Sequence, residues 1–190
     1  MEQTPHVDLR VQKTREAIRT AFRQMVCEMP AEKITVKELA ERARIHRKTF
    51  YLHYTCIEAL FEDMIRELIE DYSAQIAKID PKMPMAEVNR VFFEYSCAQD
   101  EFYERLVCEP SYRPFCNAMF AKNMRDNRAR HNPYAKLSPA QQSIVNTFVT
   151  TGSLDIYRQW VADGKQLSVD ELIDLSTKLL CTGVNSLDLA

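Results

Sequence analysis

The 190-residue chain is 46% hydrophobic and 27% charged, with only three glycines and a formal net charge of −2, which suits a helix-rich soluble protein of one large domain or a small domain joined to a larger one. No apolar run approaches the ~20 residues that cross a bilayer, and the opening MEQTPHVDLRVQKTRE lacks the apolar stretch of a secretory signal. These features predict a cytoplasmic protein with no membrane partner.

Helical periodicity runs along nearly the whole chain, and no segment alternates as a strand does. A first helix over about residues 9–29 sets Ala17, Ile18, Ala21, Phe22, Met25, Val26 and Met29 on one stripe, and Pro30 ends it. Thr35 and Glu38 then have the spacing of a capping box, with Ile34 and Leu39 placed as a hydrophobic staple. The helix they start, about 36–43, turns Leu39, Ala40 and Ala43 inward. A tight turn at Arg44-Ile45 leads into a short helix over about 47–53, where Ile45 and Phe50 repeat the staple spacing around His46 as N-cap. A third start is read at Thr55, with Glu58 three residues on. The helix that follows runs to about Ile79, with Leu60, Phe61, Met64, Ile65, Leu68, Ile69, Tyr72 and Ile76 inward. Its length of ~36 Å suits membership of two layers of structure. DPKMP at 80–84 breaks the chain. Further helices are expected near 85–97, 99–108, 112–130, 139–163 and 169–187, about nine in all, with residues 123–139 as a mobile connection.

Charge divides the chain unevenly. Residues 1–54 carry eleven Lys and Arg against seven Asp and Glu, whereas residues 55–190 carry fourteen against twenty. A basic front end on an acidic body points to a polyanion met only by the front.

Two short helices joined by a tight turn form a helix-turn-helix, whose second helix enters the major groove of DNA. With Phe50 facing inward and 100° per residue, Tyr54 returns to the core side, while Lys48 and Leu52 point away. Tyr51 and Thr49 flank them, and Arg47 lies in the first turn. One reading is a solvated charged face with a stray leucine. The other is a groove-facing surface: Arg47 and Lys48 for phosphate or guanine, Leu52 for a thymine methyl, Thr49 and Tyr51 for phosphate oxygens.

TREAIRTAF, ITVKELAERARI, RKTFYLHY and EALF, over residues 9–61, resemble the DNA-binding domain of the TetR family of bacterial transcriptional regulators. Thr35, Val36, Ala40, Ala43, Thr49, Tyr51, His53 and Leu60 fall on that family's pattern. Residues 151–175 resemble the regulatory domain of the branch related to dihydroxyacetone-kinase regulators. The resemblance implies an all-α fold: an N-terminal three-helix DNA-binding domain (1–54) and a larger helical ligand-binding and dimerisation domain (55–190), linked by the fourth helix. It implies a homodimer on a palindromic operator in double-stranded DNA, a repressor released by a small-molecule effector, and no cofactor. The expected DNA-binding set is Thr35, Arg47, Lys48, Thr49, Tyr51, Leu52 and His53, with Arg47, Lys48 and Leu52 nearest the bases and Thr49, Tyr51 and His53 on phosphates. Three departures stand out: Arg44 for a turn glycine, His46 for a better capping residue, and Ile57 for a phosphate-binding lysine.

For the body, the last two helices are expected to form the dimer layer through Val149, Gly152, Ile156 and Trp160 on one and Leu172, Ser176, Leu179 and Gly183 on the other. Soft and aromatic side chains in the middle helices, among them Phe93, Cys97, Phe115 and Met119, with Phe148 and Tyr157, are expected to line a ligand pocket. Neither His-Glu-x-x-His, Gly-x-Ser-x-Gly nor a glycine-rich phosphate loop occurs. His46 and His53 lack a Cys or carboxylate pair to complete a metal site, so no enzyme and no metal is expected. Two alternatives stay open: a thiol-based redox sensor using Cys97, Cys108 and Cys116, and a DNA-binding or protein-interaction adaptor without an effector.

Overall fold

A computed structural model describes residues 9–78, 84–118, 120–121, 132 and 134–185. Among them there are nine α-helical segments, one 3-10 turn and no strand. The chain divides into two compact units, Met1–Ile65 and Arg66–Ala190. That division falls inside the fourth helix.

The first unit contains α1 (Leu9–Glu28), α2 (Val36–Arg42), α3 (Arg47–Tyr51) and the beginning of α4 (Ile57–Ile76). Its core is the set the periodicity selects: Ile18, Phe22, Met25 and Val26 of α1, Leu39 and Ala40 of α2, Phe50 of α3, and Leu60 and Phe61 of α4 are all buried. Phe22 meets Phe61 edge to face at 5.6 Å. Thr35 Oγ1 accepts from the Glu38 amide at 3.2 Å and so caps α2. The Glu38 carboxylate meets Arg42 at 3.1 Å, so the box is only half closed. The expected start at Thr55 moves to Ile57, because the first backbone bond of α4 runs from Leu60 to the Cys56 carbonyl.

The turn between α2 and α3 is a Schellman motif. The Ile45 amide donates to the Ala40 carbonyl at 3.0 Å and the Arg44 amide to Glu41 at 3.1 Å. This geometry needs a left-handed residue, and Arg44 takes it with φ of 53°. His46 then caps α3, its Nδ1 accepting from the Lys48 amide at 3.3 Å.

The second unit holds the rest of α4, then α5 (Met85–Cys97), α6 (Glu101–Cys108), α7 (described over residues 113–118 and 120–121), α8 (Pro139–Ala162) and α9 (Val169–Asn185). Asp100 caps α6, and complete capping boxes start α8 at Ser138–Gln141 and α9 at Ser168–Glu171. A second Schellman motif ends α8, with Lys165 donating to Trp160 and Gly164 to Val161; here glycine occupies the first left-handed position, at φ of 73°. Phe93, Tyr103, Val107, Leu154, Tyr157, Leu172 and Ile173 form the main core. Most of the connection expected to be mobile lies outside the described residues.

Candidate nucleic-acid interface

Burial of Phe50 and Tyr54 fixes the rotation of α3. It leaves Arg47 and Lys48 exposed, with Leu52 83% and Tyr51 51% open to solvent; Thr49 and His53 are half-buried at the edges. The structure thus brings six of the seven expected DNA-facing residues onto one short segment. Thr35 stands apart, exposed at the start of α2 with its hydroxyl already engaged as the cap. Ile57, at the first turn of α4, is half-buried and supplies no charge.

Behind this surface sits a group that the sequence reading passed over. Asp63 of α4 is buried, and its Oδ2 accepts from Arg15 at 2.7 Å, Arg19 at 2.9 Å and the Tyr54 hydroxyl at 2.9 Å. Arg15 Nε also donates to the Tyr54 oxygen at 3.1 Å. Burial alone would raise the Asp63 carboxyl, but hydrogen bonds from Arg15 and Tyr54 and the charges of both arginines hold it below the ordinary carboxylate value. The cluster ties α1, the end of α3 and α4 together. A carboxylate three residues beyond Leu60, inside an apolar stripe, with two arginines four apart on α1, was the available signal.

The second unit has at least two cavities lined by described residues. One, of about 520 Å³, has the polar side chains of Asn117, Gln142, Asn146, Thr147, Thr151 and Arg158 in its lining. Arg158 is buried there and donates to the Val107 carbonyl, Asp155 and Asn117. The other, of about 60 Å³, is mainly apolar and includes Tyr72, Phe92, Leu154 and Leu180 in its walls. None of the expected pocket residues lines either one. Phe93 and Tyr157 are closed into the core, and Tyr157 donates to the Ser96 carbonyl. Cys97 and Phe115 are half-buried, Phe148 is half exposed, and Met119 lies outside the described residues.

The stripes expected at a dimer layer are largely taken up within the chain. Val149, Leu172 and Ser176 are buried; Ile156 and Trp160 pack on the core, and the Trp160 indole donates to Leu167. A Cβ at Gly152 would stand 2.8 Å from Leu180, so this glycine serves the approach of α8 to its own α9. Leu179 and Gly183 remain exposed. Ile144 and Phe148 on α8 and Leu175 and Leu179 on α9 are apolar side chains left in the open. Helical spacing alone cannot tell an inner stripe from an outer one when a helix carries apolar residues on both sides.

No family model matches the chain. An uncharacterised HTH-type transcriptional regulator of Bacillus subtilis, YxbF, is 36% identical over 66 residues, a segment that spans 34% of this chain and 17% of that protein. Among solved structures, a TetR transcriptional regulator from Streptococcus agalactiae superposes with a TM-score of 0.70 at 19% identity, covering 90% of this chain and 95% of that one. NalD of Pseudomonas aeruginosa, the secondary repressor of a multidrug efflux pump, gives 0.68 at 17% identity over 92% and 96%. The dihydroxyacetone kinase operon activator DhaS gives 0.53 at 18% identity over 91% and 97%. The chain is therefore an all-α helix-turn-helix protein. Its fold is that of the TetR-family transcriptional regulators, and these similar proteins are regulators rather than enzymes.

Proposed function

We propose that this protein is a sequence-specific DNA-binding transcriptional regulator of the cytoplasm that works as a homodimer on a palindromic operator. The carrying observation is the outer face of α3: two cations, a phenol and a bare leucine are held outward by the burial of Phe50 and Tyr54. Arg47, Lys48 and Leu52 read base edges, and Thr49, Tyr51 and His53 hold phosphates. Thr35 adds a contact at the start of α2.

A second copy of the chain covers the open apolar face of α8 and α9. Ile144 and Phe148, and likewise Leu175 and Leu179, are spaced four apart, so each pair lies on one side of its helix. Apolar surface on two neighbouring helices suits a two-fold interface in which the same patch serves both subunits. Leu179→Asp should convert dimer to monomer in sedimentation velocity; an unchanged mass would remove this assignment.

The helical body senses a small effector, and the sense of control is repression, as in the efflux-pump repressor of the same fold. An activator shares that fold too, so transcription of an operator-linked reporter decides the sign. The thiol alternative is disfavoured by burial, which pushes Cys97 and Cys108 up to about 11 and Cys116 to about 12. Thiolate, the species that meets peroxide, is then scarce near neutral pH.

Selection of sites from random duplex DNA at about 150 mM salt, with and without reductant, tests the reading. Enrichment of an inverted repeat with half-sites roughly 34–36 Å apart is expected in both conditions. Salt-sensitive binding without enrichment would replace it with the adaptor reading.

A further inference from the structure

The segment that carries the outward face of α3 is short. The helix itself has five residues, fewer than a helix needs to persist in water on its own. After it the backbone bonds stay local: the Leu52 amide donates to the Thr49 carbonyl, and the His53 and Tyr54 amides donate to that of Phe50. Burial of Phe50 and Tyr54 settles which face is outward, but apolar contact has no direction and leaves the segment free to slide along the core. Among the described residues, the hydrogen bonds that join residues 46–54 to other helices all pass through one atom, the Tyr54 hydroxyl oxygen. Burial raises the pKa of that hydroxyl, so it keeps its hydrogen. It donates to Asp63 Oδ2 of α4 at 2.9 Å and accepts from Arg15 Nε of α1 at 3.1 Å. Arg15 closes the triangle by donating from Nη2 to Asp63 at 2.7 Å, and Arg19 donates to the same carboxylate oxygen at 2.9 Å.

We propose that Tyr54 is a positioning residue for DNA reading: its hydroxyl, latched between Asp63 and Arg15, holds Leu52 and His53 in the places from which they meet DNA. The proposal deepens the DNA-binding reading and rests on it for any consequence at the operator. Leu52 and His53 lie between the end of α3 and the latch, so their backbone is held from both sides. The start of the segment is held by a different device, the His46 cap, which is local to Arg47 and Lys48. Loss of the latch is therefore felt most at Leu52 and His53. The ring and the hydroxyl of Tyr54 have separable roles. The ring stands 5.9 Å from that of Phe50, a contact that phenylalanine would keep. The hydroxyl adds direction, because a donor and an acceptor bond on one oxygen fix its place within the narrow tolerance of hydrogen-bond geometry. A side chain shifted in a groove loses its own base or phosphate contact, whereas the attraction between a basic surface and any duplex is unaffected.

Tyr54→Phe in the full chain tests the latch, because it deletes one oxygen and leaves the ring. Val26→Ala is the control: it trims a buried core residue of α1 and lowers stability through packing alone. Both are compared with wild type at a temperature where urea curves show all three folded. The first readout needs no DNA. The chain has four histidines, and with ring-labelled histidine the NMR signals of His53 report beside the latch and those of His46 at the start of α3. Tyr54→Phe should shift or broaden the His53 signals and leave those of His46 in place, whereas Val26→Ala should leave both. The second readout is affinity for the duplex that wild type recovers from the random pool, set against a scrambled duplex of the same composition. Tyr54→Phe should lose about tenfold on the recovered duplex, the worth of one or two hydrogen bonds, and less than about twofold on the scrambled one. Val26→Ala should match wild type on both. Should Tyr54→Phe fail to fold, Arg15→Lys keeps the charge but not the fork that spans Tyr54 and Asp63, and should give the same pattern at about threefold. Unchanged His53 signals, equal losses on both duplexes, or an equal loss from Val26→Ala overturns the proposal. Altered His53 signals in a chain whose wild type recovers no duplex support the latch and remove the DNA reading. A selective wild type whose selectivity survives Tyr54→Phe does the reverse.

Discussion

Two buried polar side chains, Asp63 in the first unit and Asn89 in the second, are satisfied to different degrees. In the first, Asp63 is a buried carboxylate, and three donors converge on one of its oxygens. In the second, Asn89 is equally buried, yet its oxygen meets no donor among the described residues. Satisfaction of Asp63 fixes how α1, Tyr54 and α4 pack, because a fully paired buried group specifies one arrangement. In the second unit the Arg105 Nε, like Asn89 Oδ1, is buried without a hydrogen-bond partner among the described residues.

The largest expected effect comes from breaking the satisfied cluster. Asp63→Asn removes the charge that Arg15 and Arg19 face, and should cost about 2–3 kcal/mol in urea unfolding of the full chain. That is less than the ~3–5 kcal/mol of a fully buried pair, because Arg15 is half exposed and solvent screens it. The pH dependence has a definite sign. The folded carboxyl titrates below its ordinary value of about 3.9, so its contribution is fully present above that pH and is lost as pH falls through the lowered value. Wild type should therefore lose stability more steeply than Asp63→Asn below about pH 4. Parallel curves would mean that the cluster contributes geometry without charge.

A second test works on the packing side of the comparison. Gly152→Val would press into Leu180 and should cost roughly 1–3 kcal/mol. Gly152→Ala should cost little, since the group it meets is the end of a flexible side chain and alanine is the better helix former. A large loss in dimerisation with intact monomer stability would instead return Gly152 to the interface, where its stripe first placed it.

These two residues also mark how far sequence carries. The first unit was legible almost to the residue, because local devices define it: the Thr35 cap, the Ile34–Leu39 staple, the Arg44 turn and the apolar face of α3 all act within a few positions. Asp63 escaped because its partners lie up to 48 residues away. The second unit showed its helices, with α5 at Met85–Cys97 where expected, but not their faces. Which stripe of α8 turns inward depends on α5, α6 and α9 together, and no periodicity within α8 contains that information. Aromatic density marked the core at Phe93 and Tyr157, whereas the small cavity is lined by other residues, Tyr72, Phe92 and Leu180 among them.

On the DNA-facing side, Lys48→Ala should cost ~1–3 kcal/mol at one operator position while leaving others unchanged, if its contact is to a base edge. Tyr51→Phe should weaken all sites evenly, as loss of a phosphate contact does. Equal, uniform losses from both would mean that the exposed face of α3 is a phosphate-binding surface only.

The smallest effects allow the most direct comparison, because the same motif ends a helix in each unit. At the end of α8 the left-handed position is Gly164, at φ of 73° with open space around a Cβ; at the end of α2 it is Arg44, at φ of 53°. A side chain in that conformation costs ~1–2 kcal/mol, so Arg44→Gly should stabilise the chain by about 1 kcal/mol and Gly164→Ala should destabilise it by a similar amount. The two changes differ in a second respect. Arg44 is exposed in the turn before α3 and carries a charge near the proposed phosphate surface. Arg44→Gly should therefore raise thermal stability while lowering the salt slope of DNA binding, whereas Gly164→Ala should leave that slope alone. A gain in stability with no change in slope would mean that the arginine is tolerated in the turn without contributing to DNA binding. A reduced slope would mean that the strain is retained for the charge it places beside the DNA.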